Sequence, residues 1–354
     1  MMEQIDWQTS FKGLPDIPGC KRWRGDDLPL DHISLFKFLN KEKQTPDDEK
    51  IINEAADFYV KLYEQLPSVN YSEFDEQDFK NFKNYILYAY NFQVTGGVGL
   101  TVKHTFRMVL NESVTVEKTN TRITHRDQLT FPSLKIVGKY NLFNRANTPN
   151  TTVFYSGENI DTAVKECRPP LGRLVTVGCW KTNFNKNPTK KNLVTYQIAD
   201  SDAAFNHNQG LRDATLQIEQ LSGFNLLNAR YWRSYMKVLG REFTKSPIKH
   251  NNEYYLSAVF SEQIFKTTSP KDNLPYDAII YPSVGNGYIT DNLAIRPSVV
   301  ENYFYLDYAL EFEVEEQYYD KVYIWNIPEI ITLAKVKNVH RSAFVDNDTG
   351  IIYW

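Results

Sequence analysis

Between Val153 and Pro170 the spacing of apolar residues changes from that of a strand to that of a helix. Val153-Phe154-Tyr155 is a short apolar run suited to a buried strand. Ser156-Gly157 leads out of it, and Ile160, Ala163, Val164 and Cys167 then fall on one helical stripe. Pro169-Pro170 ends the helix, because a proline ring drives the residue before it out of helical backbone geometry. At about 100° per residue, Glu166 lies about 60° from Ala163, on the border of the stripe. A carboxylate placed there is half buried, held by the helix and able to face a cleft.

The same mixture runs through the rest of the chain. Leu174–Val177 and Ala278-Ile279-Ile280-Tyr281 look like further strands, the second ending at Pro282. Residues 211–245 look helical, with Leu211, Ala214, Ile218 and Leu221 on one stripe and Tyr231, Tyr235, Val238 and Leu239 on the next. Several short strands are expected in the last fifty residues. Before residue 100 the pattern is helical. Thr45-Pro46-Asp47-Asp48 resembles a helix start, with a capping Thr, a proline at the first helical position and acids at the positive end. Ile51, Ala55, Phe58 and Leu62 follow at helical spacing, and a second helix is expected through Phe79, Phe82, Ile86 and Ala89. Gly96-Gly97-Val98-Gly99 closes this part as a turn, since no Lys-Ser/Thr follows to complete a phosphate loop. Strands and helices without regular alternation make the expected class α+β.

Composition excludes several functions. The 354 residues are 42% apolar, enough for a sizeable core, and carry a net charge of −3. That balance supplies no basic field for nucleic acid or an anionic membrane, and Lys190-Lys191 is expected in a solvated loop. No apolar stretch approaches the length of a membrane span. Cys20, Cys167 and Cys179 form no CxxC pair and suit reduced thiols, and the N-terminus has no signal-peptide pattern, so a cytoplasmic location is expected. No HExxH or CxxC spacing offers a metal, and His207 is the most ligand-like of six scattered histidines.

Three segments can carry chemistry. Asn144-Arg145-Ala146-Asn147 is a polar loop in which the Arg145 guanidinium can hold a phosphate or carboxylate in two-pronged fashion. Tyr155, near the end of its strand, can stack on a flat ligand. Glu166 can meet developing positive charge in a dry site. Tyr276–Val284 delivers Tyr281 and Ser283 to a strand end, without the GxSxG elbow of a serine hydrolase.

Together these segments resemble the RES domain family, named for its Arg, Glu and Ser. Arg145, Asn147, Pro149, Thr151, Val153 and Tyr155 match its first motif in register. Ala163 and Glu166 match its helix, and Tyr281-Pro282-Ser283 and Asn292-Leu293-Ala294 match its last two motifs. Asn144 stands where the family has Gly, Ala146 where it has Trp, and the loop Val284-Gly285-Asn286-Gly287 lacks its common Arg. The family has an earlier arginine at the end of its first strand, for which Arg122 is the first candidate and Arg126 the second.

The resemblance spans roughly residues 116–300. It implies a RES domain over 116–354 with a helical insertion around 182–250, preceded by a mainly helical region, 1–115, with a regulatory or oligomerisation role. It implies an ADP-ribosyltransferase-like fold and NAD⁺ as substrate, with cleavage of the nicotinamide–ribose bond by water or phosphate. Many members are growth-arresting toxins with a cognate antitoxin. By the same resemblance, Arg145 and Arg122 would bind phosphate, with Asn147 and Tyr281 beside them. Tyr155 would stack at the nicotinamide side, Glu166 would hold the ribose hydroxyls and stabilise the cation, and Ser283 would position the ribose or the amide. Transfer of ADP-ribose to a protein and an inactive NAD-binding module are the alternatives.

Overall fold

The computed structural model describes residues 46, 69, 71, 74–80, 82–83, 98–114, 119–140, 143–184, 190–198, 226–245, 250–269, 273–324 and 327–354. The fold is mixed α+β, built on a nine-stranded sheet. The strands are β1 (Val98–Leu100), β2 (His104–Leu110), β3 (Phe154–Gly157), β4 (Leu174–Thr182), β5 (Leu193–Gln197), β6 (Ala278–Pro282), β7 (Asp291–Ile295), β8 (Phe304–Ile324) and β9 (Ile327–Arg341). They lie in the order β1-β5-β6-β7-β3-β2-β4-β8-β9, and only the β5–β6 pair is parallel. A two-residue ladder of Phe344–Val345 with Ile352–Tyr353 stands apart.

Burial follows from the sequence pattern. β6 is buried along its whole length. Its alternate residues enter two cores, Ile279 and Tyr281 one and Ala278 and Ile280 the other. The first core is closed by α4 (Leu226–Thr244) through Tyr235, Val238, Leu239 and Phe243, and by α5 (Tyr255–Lys266) through Leu256, Val259, Phe260 and Ile264. The second is closed by α6 (Pro297–Tyr303) through Val299 and Val300. Two short helices, α1 (Asn111–Val114) and α2 (Leu134–Tyr140), lie between β2 and β3 in the chain.

The helix expected at 160–167 is α3 (Ile160–Cys167). The Asn159 side chain accepts from the Thr162 N–H at its start, and Arg168 turns the chain into left-handed geometry before the prolines. A third core under α3 joins Ala163 to Phe106, Met108, Val175, Val177 and Phe312.

One junction in the sheet is weak. β3 and β2 share only the register pair Phe106–Gly157. Beyond it the strands part, and side chains replace the ladder: Thr105 Oγ1 donates to Gly157 O at 2.9 Å and Arg107 Nη1 to Tyr155 O at 2.9 Å. Phe106 opposes Gly157, so it shares the face of Tyr155. On that face α3 covers one half of the sheet and α4–α5 the other, and a cleft opens over the junction between them.

Several expectations change. The last fifty residues are dominated by one long hairpin of β8 and β9, because no Gly or Pro interrupts Phe304–Ile324. β1 and β2 precede residue 115 yet are bonded into the sheet. Val69, Tyr71, Phe74 and Phe82 join the core of α4 and α5. β5 lies within the stretch expected as a helical insertion. Lys190 is no solvated lysine, since its ammonium sits 2.6 Å from Asp277 Oδ1. Residues 76–80 and 82–83 are helical, as is Pro46. Ile51–Leu62, Ile86, Ala89, Gly96-Gly97, Cys20, His207 and 211–225 lie outside the described residues. Among the described residues, no helix is long and apolar enough to cross a membrane.

Candidate active site

A cavity of about 270 Å³ fills the cleft where β2 and β3 separate. β2 lines it with Phe106, Arg107 and Met108, β3 with Tyr155, Ser156 and Gly157, and α3 with Ala163, Glu166 and Cys167. Asn144, Arg145, Tyr254, Tyr281 and Asn292 complete the wall. Segments more than a hundred residues apart thus meet in one chamber.

Glu166 is the most constrained group. Its Oε1 accepts from Ser283 Oγ at 2.6 Å, the Gly285 N–H at 3.0 Å and Asn292 Nδ2 at 2.8 Å. Among the described residues no donor meets Oε2. One oxygen is therefore fixed by protein and the other is available to a ligand. The loop supplying these donors is clamped to α3. Lys165 Nζ donates to Asn286 Oδ1 at 2.7 Å, and the hydroxyls of Thr162 and Thr290 lie 2.7 Å apart. Gly285 allows the approach, because a Cβ there would stand 2.6 Å from the Lys165 carbonyl oxygen.

Ser283 is fully buried behind Glu166 and is not part of the cavity wall. Its hydroxyl donates to the carboxylate and accepts from the Asn286 N–H at 3.3 Å. The expected contact with ribose or amide is thus replaced by a contact with Glu166, because the strand end turns the hydroxyl towards α3. Asn292 takes the place on the cavity wall.

Arg145 is held between elements. Its Nη1 donates to Phe243 O, and its Nη2 to Lys245 O at 3.4 Å and to Tyr254 Oη at 3.3 Å. Burial opposes its charge, but the phenols of Tyr254 and Tyr281 and the Glu166 carboxylate raise its pKa above the ordinary arginine value. Tyr155 accepts from the Ala146 N–H at 2.7 Å and donates to Asn147 Oδ1 at 2.9 Å. It thereby braces the arginine loop, and burial pushes its phenol pKa up. Asn147 is spent on that brace and on the Thr148 carbonyl, and does not line the cavity. Tyr281 is buried, its ring 5.2 Å from Phe243, and burial raises its pKa strongly.

Neither candidate for the earlier arginine lies on the cavity wall. Arg122 pairs with buried Glu311 at 2.7 Å and covers the Trp354 ring, while Arg126 donates to Asn347 O. Arg107 stands there instead. Its Nη1 ties β2 to β3, its guanidinium lies 5.5 Å from the Phe154 ring centre, and its buried Nε finds no partner among the described residues. Burial lowers its pKa from the ordinary value. The signal in the sequence was a lone arginine inside the otherwise apolar run Phe106–Leu110.

Cys167 also reaches the cavity. Its thiol pKa is pushed up to about 11 by the surrounding protein and by Glu166, against the pull of Arg107. Among the described residues no cluster of His, Cys, Asp and Glu could hold a metal. The arrangement offers two guanidinium groups, one carboxylate oxygen and aromatic rings around a chamber large enough for part of a nucleotide. No protein-family model matches the chain, and no curated protein matches it.

Proposed function

We propose that the protein is an NAD⁺-consuming enzyme of the RES type, with an ADP-ribosyltransferase-like fold, acting as a glycohydrolase or phosphorylase. The observation that carries this reading is the convergence of Arg145 and Tyr155 from the first motif and Glu166 from the second on one cavity, with Ser283 and Asn292 bonded to the Glu166 carboxylate.

The chemistry follows from those groups. The bond between the nicotinamide nitrogen and ribose C1′ breaks with its electron pair passing to nicotinamide. The sugar becomes oxocarbenium-like, and water or phosphate adds to C1′. Glu166 Oε2 faces the ribose and stabilises the cation, while the three donors to Oε1 hold the carboxylate in place. Arg107 and Arg145 supply positive charge for the phosphates of the substrate. Tyr155 stacks at the nicotinamide side. In a cell, such an activity arrests growth by depleting NAD⁺, and a cognate antitoxin protein would be its partner.

The test is incubation of the purified chain with NAD⁺, with and without inorganic phosphate, followed by chromatography of nicotinamide. Nicotinamide release is expected from the wild type, with Glu166→Gln reduced by about three orders of magnitude or more. Equal release by the variant would sink the reading. A fall in cellular NAD⁺ on expression checks the toxin role.

A further inference from the structure

The sheet ends differently on its two sides. β1, three residues long, is a short edge of the kind that resists further pairing. β9 is the other edge, and it runs through fifteen residues, Ile327–Arg341, with no strand on its outer side among the described residues. β4 leaves the ladder at the Leu174–Glu313 pair, so from Glu316 to Ile324 β8 is bonded, among the described residues, to β9 alone. A free two-stranded ribbon is marginal in water, and an apolar edge is a template for another strand. The sequence along this edge, Glu329-Ile330-Ile331-Thr332-Leu333-Ala334-Lys335-Val336-Lys337, is apolar through its middle and carries opposite charges at its ends. Pro328 bounds it on one side, because proline has no N–H to give a new ladder. Asn338 bounds it on the other, where the backbone enters left-handed geometry at φ 53° and the register with β8 shifts. Lys335 to Arg341 are exposed, and Val336 and Val339 line an apolar groove against α3.

We propose that the protein forms a twofold dimer in which β9 pairs antiparallel with β9 of a second copy, centred on Leu333. In a twofold interface residue i meets residue j and j meets i. Leu333 is the midpoint between Pro328 and Asn338, so centring there uses the whole stretch that those two residues bound. It sets Glu329 opposite Lys337, Ile330 opposite Val336, Ile331 opposite Lys335 and Thr332 opposite Ala334, each pair occurring twice. Opposite residues share a face of the sheet. The Ile330–Val336 pairs therefore lie on the α3 face and continue its apolar groove, while the Glu329–Lys337 pairs lie on the other face at both ends of the ladder. That match of charge with charge and apolar with apolar is what selects a second copy as the occupant of the edge.

Sedimentation velocity on the full-length protein across a dilution series reads the oligomer directly, and a monomer–dimer equilibrium is expected. Glu329→Lys sets like charges opposite each other twice per dimer and is expected to raise the dimer dissociation constant by about tenfold or more. Within its own chain position 329 stands opposite Val322, so the substitution brings no charge against β8. Adding Lys337→Glu restores opposite charges and is expected to recover at least part of the loss, which a misfolded variant could not do. Leu333→Cys places two thiols on the twofold axis, with Cα atoms about 4.5–5.5 Å apart, and is expected to give a covalent dimer under mild oxidation, relative to the wild type. Lys335→Cys stands about 13 Å along the strand from its copy and is expected to give none. A wild type that stays monomeric at its highest soluble concentration overturns the proposal. So does a dimer that Glu329→Lys leaves intact, or one that cross-links through position 335 and not through 333. If Glu329→Lys does not fold, the two cysteine variants decide.

Discussion

Replacing Ser283 by alanine separates two roles for this hydroxyl, contact with substrate and orientation of Glu166. The side chain is fully buried, and its oxygen stands 2.6 Å from Glu166 Oε1. A hydrogen bond of that length to a carboxylate contributes about 1.5–3 kcal/mol net. Two donors remain on the same oxygen, the Gly285 N–H at 3.0 Å and Asn292 Nδ2 at 2.8 Å, so the carboxylate is loosened and not released. If the loosening is felt fully in the transition state, kcat falls by roughly 10- to 100-fold. Because Ser283 does not line the cavity, KM for NAD⁺ is expected to stay within about twofold. Stability falls as well, since the Asn286 N–H loses its acceptor, at about 1–3 kcal/mol. The assay is steady-state nicotinamide release, with the same substitution repeated in Glu166→Gln. There it should change nothing further, because the two residues act as a pair. A raised KM at constant kcat, or full additivity with Glu166→Gln, would refute the reasoning and return Ser283 to the substrate.

Further outcomes follow from other contacts. Gly285→Ala places a Cβ 2.6 Å from the Lys165 carbonyl oxygen and 2.9 Å from the Glu166 nitrogen, both backbone atoms. The loop must lift from α3, costing about 1–3 kcal/mol by thermal denaturation and lowering kcat through the lost N–H donor. Arg107→Ala should cut activity at least about 100-fold by unpinning β3 and removing one of the two guanidinium groups from the cavity. Arg122→Ala should leave kcat and KM unchanged while costing about 2 kcal/mol, a value discounted because Arg122 is 41% exposed. Comparable kinetic losses in both variants would contradict their placement. Burial alone would raise the Glu262 pKa, but ion pairs with Lys266 and Lys83, at 2.6 and 2.9 Å, hold it below the ordinary 4.5. Its contribution is therefore present above about pH 4.5 and lost as pH falls through the lowered value. Glu262→Gln should lower stability near neutrality by on the order of 1 kcal/mol and flatten the acid limb of the melting curve. An unchanged acid limb would contradict that linkage.

The one-dimensional pattern determined what local spacing controls. The Val153–Pro170 unit, the strand at 278–282 and the half-buried border position of Glu166 follow from apolar period, capping and proline stops, each acting within a few residues. Arg145, Tyr155 and Glu166 were named from motifs in register, and the fold brings them to one cavity. What depended on tertiary structure was the direction each group faces and whom it meets. Ser283 was legible as a residue at a strand end, but only the clamp between α3 and the 283–290 loop turns it onto Glu166 and away from substrate. Arg107 and Arg122 are both arginines in β-rich sequence. Arg107 enters the site because β2 and β3 separate after one register pair, whereas Arg122 finds Glu311 across the sheet. Tyr254 carries no local signal at all, because its position depends on α4 and α5 packing against β6 and on Arg145 reaching across to its hydroxyl. Local sequence sets period and termination, while long-range packing decides which polar atoms are spent inside the protein and which are left for a ligand.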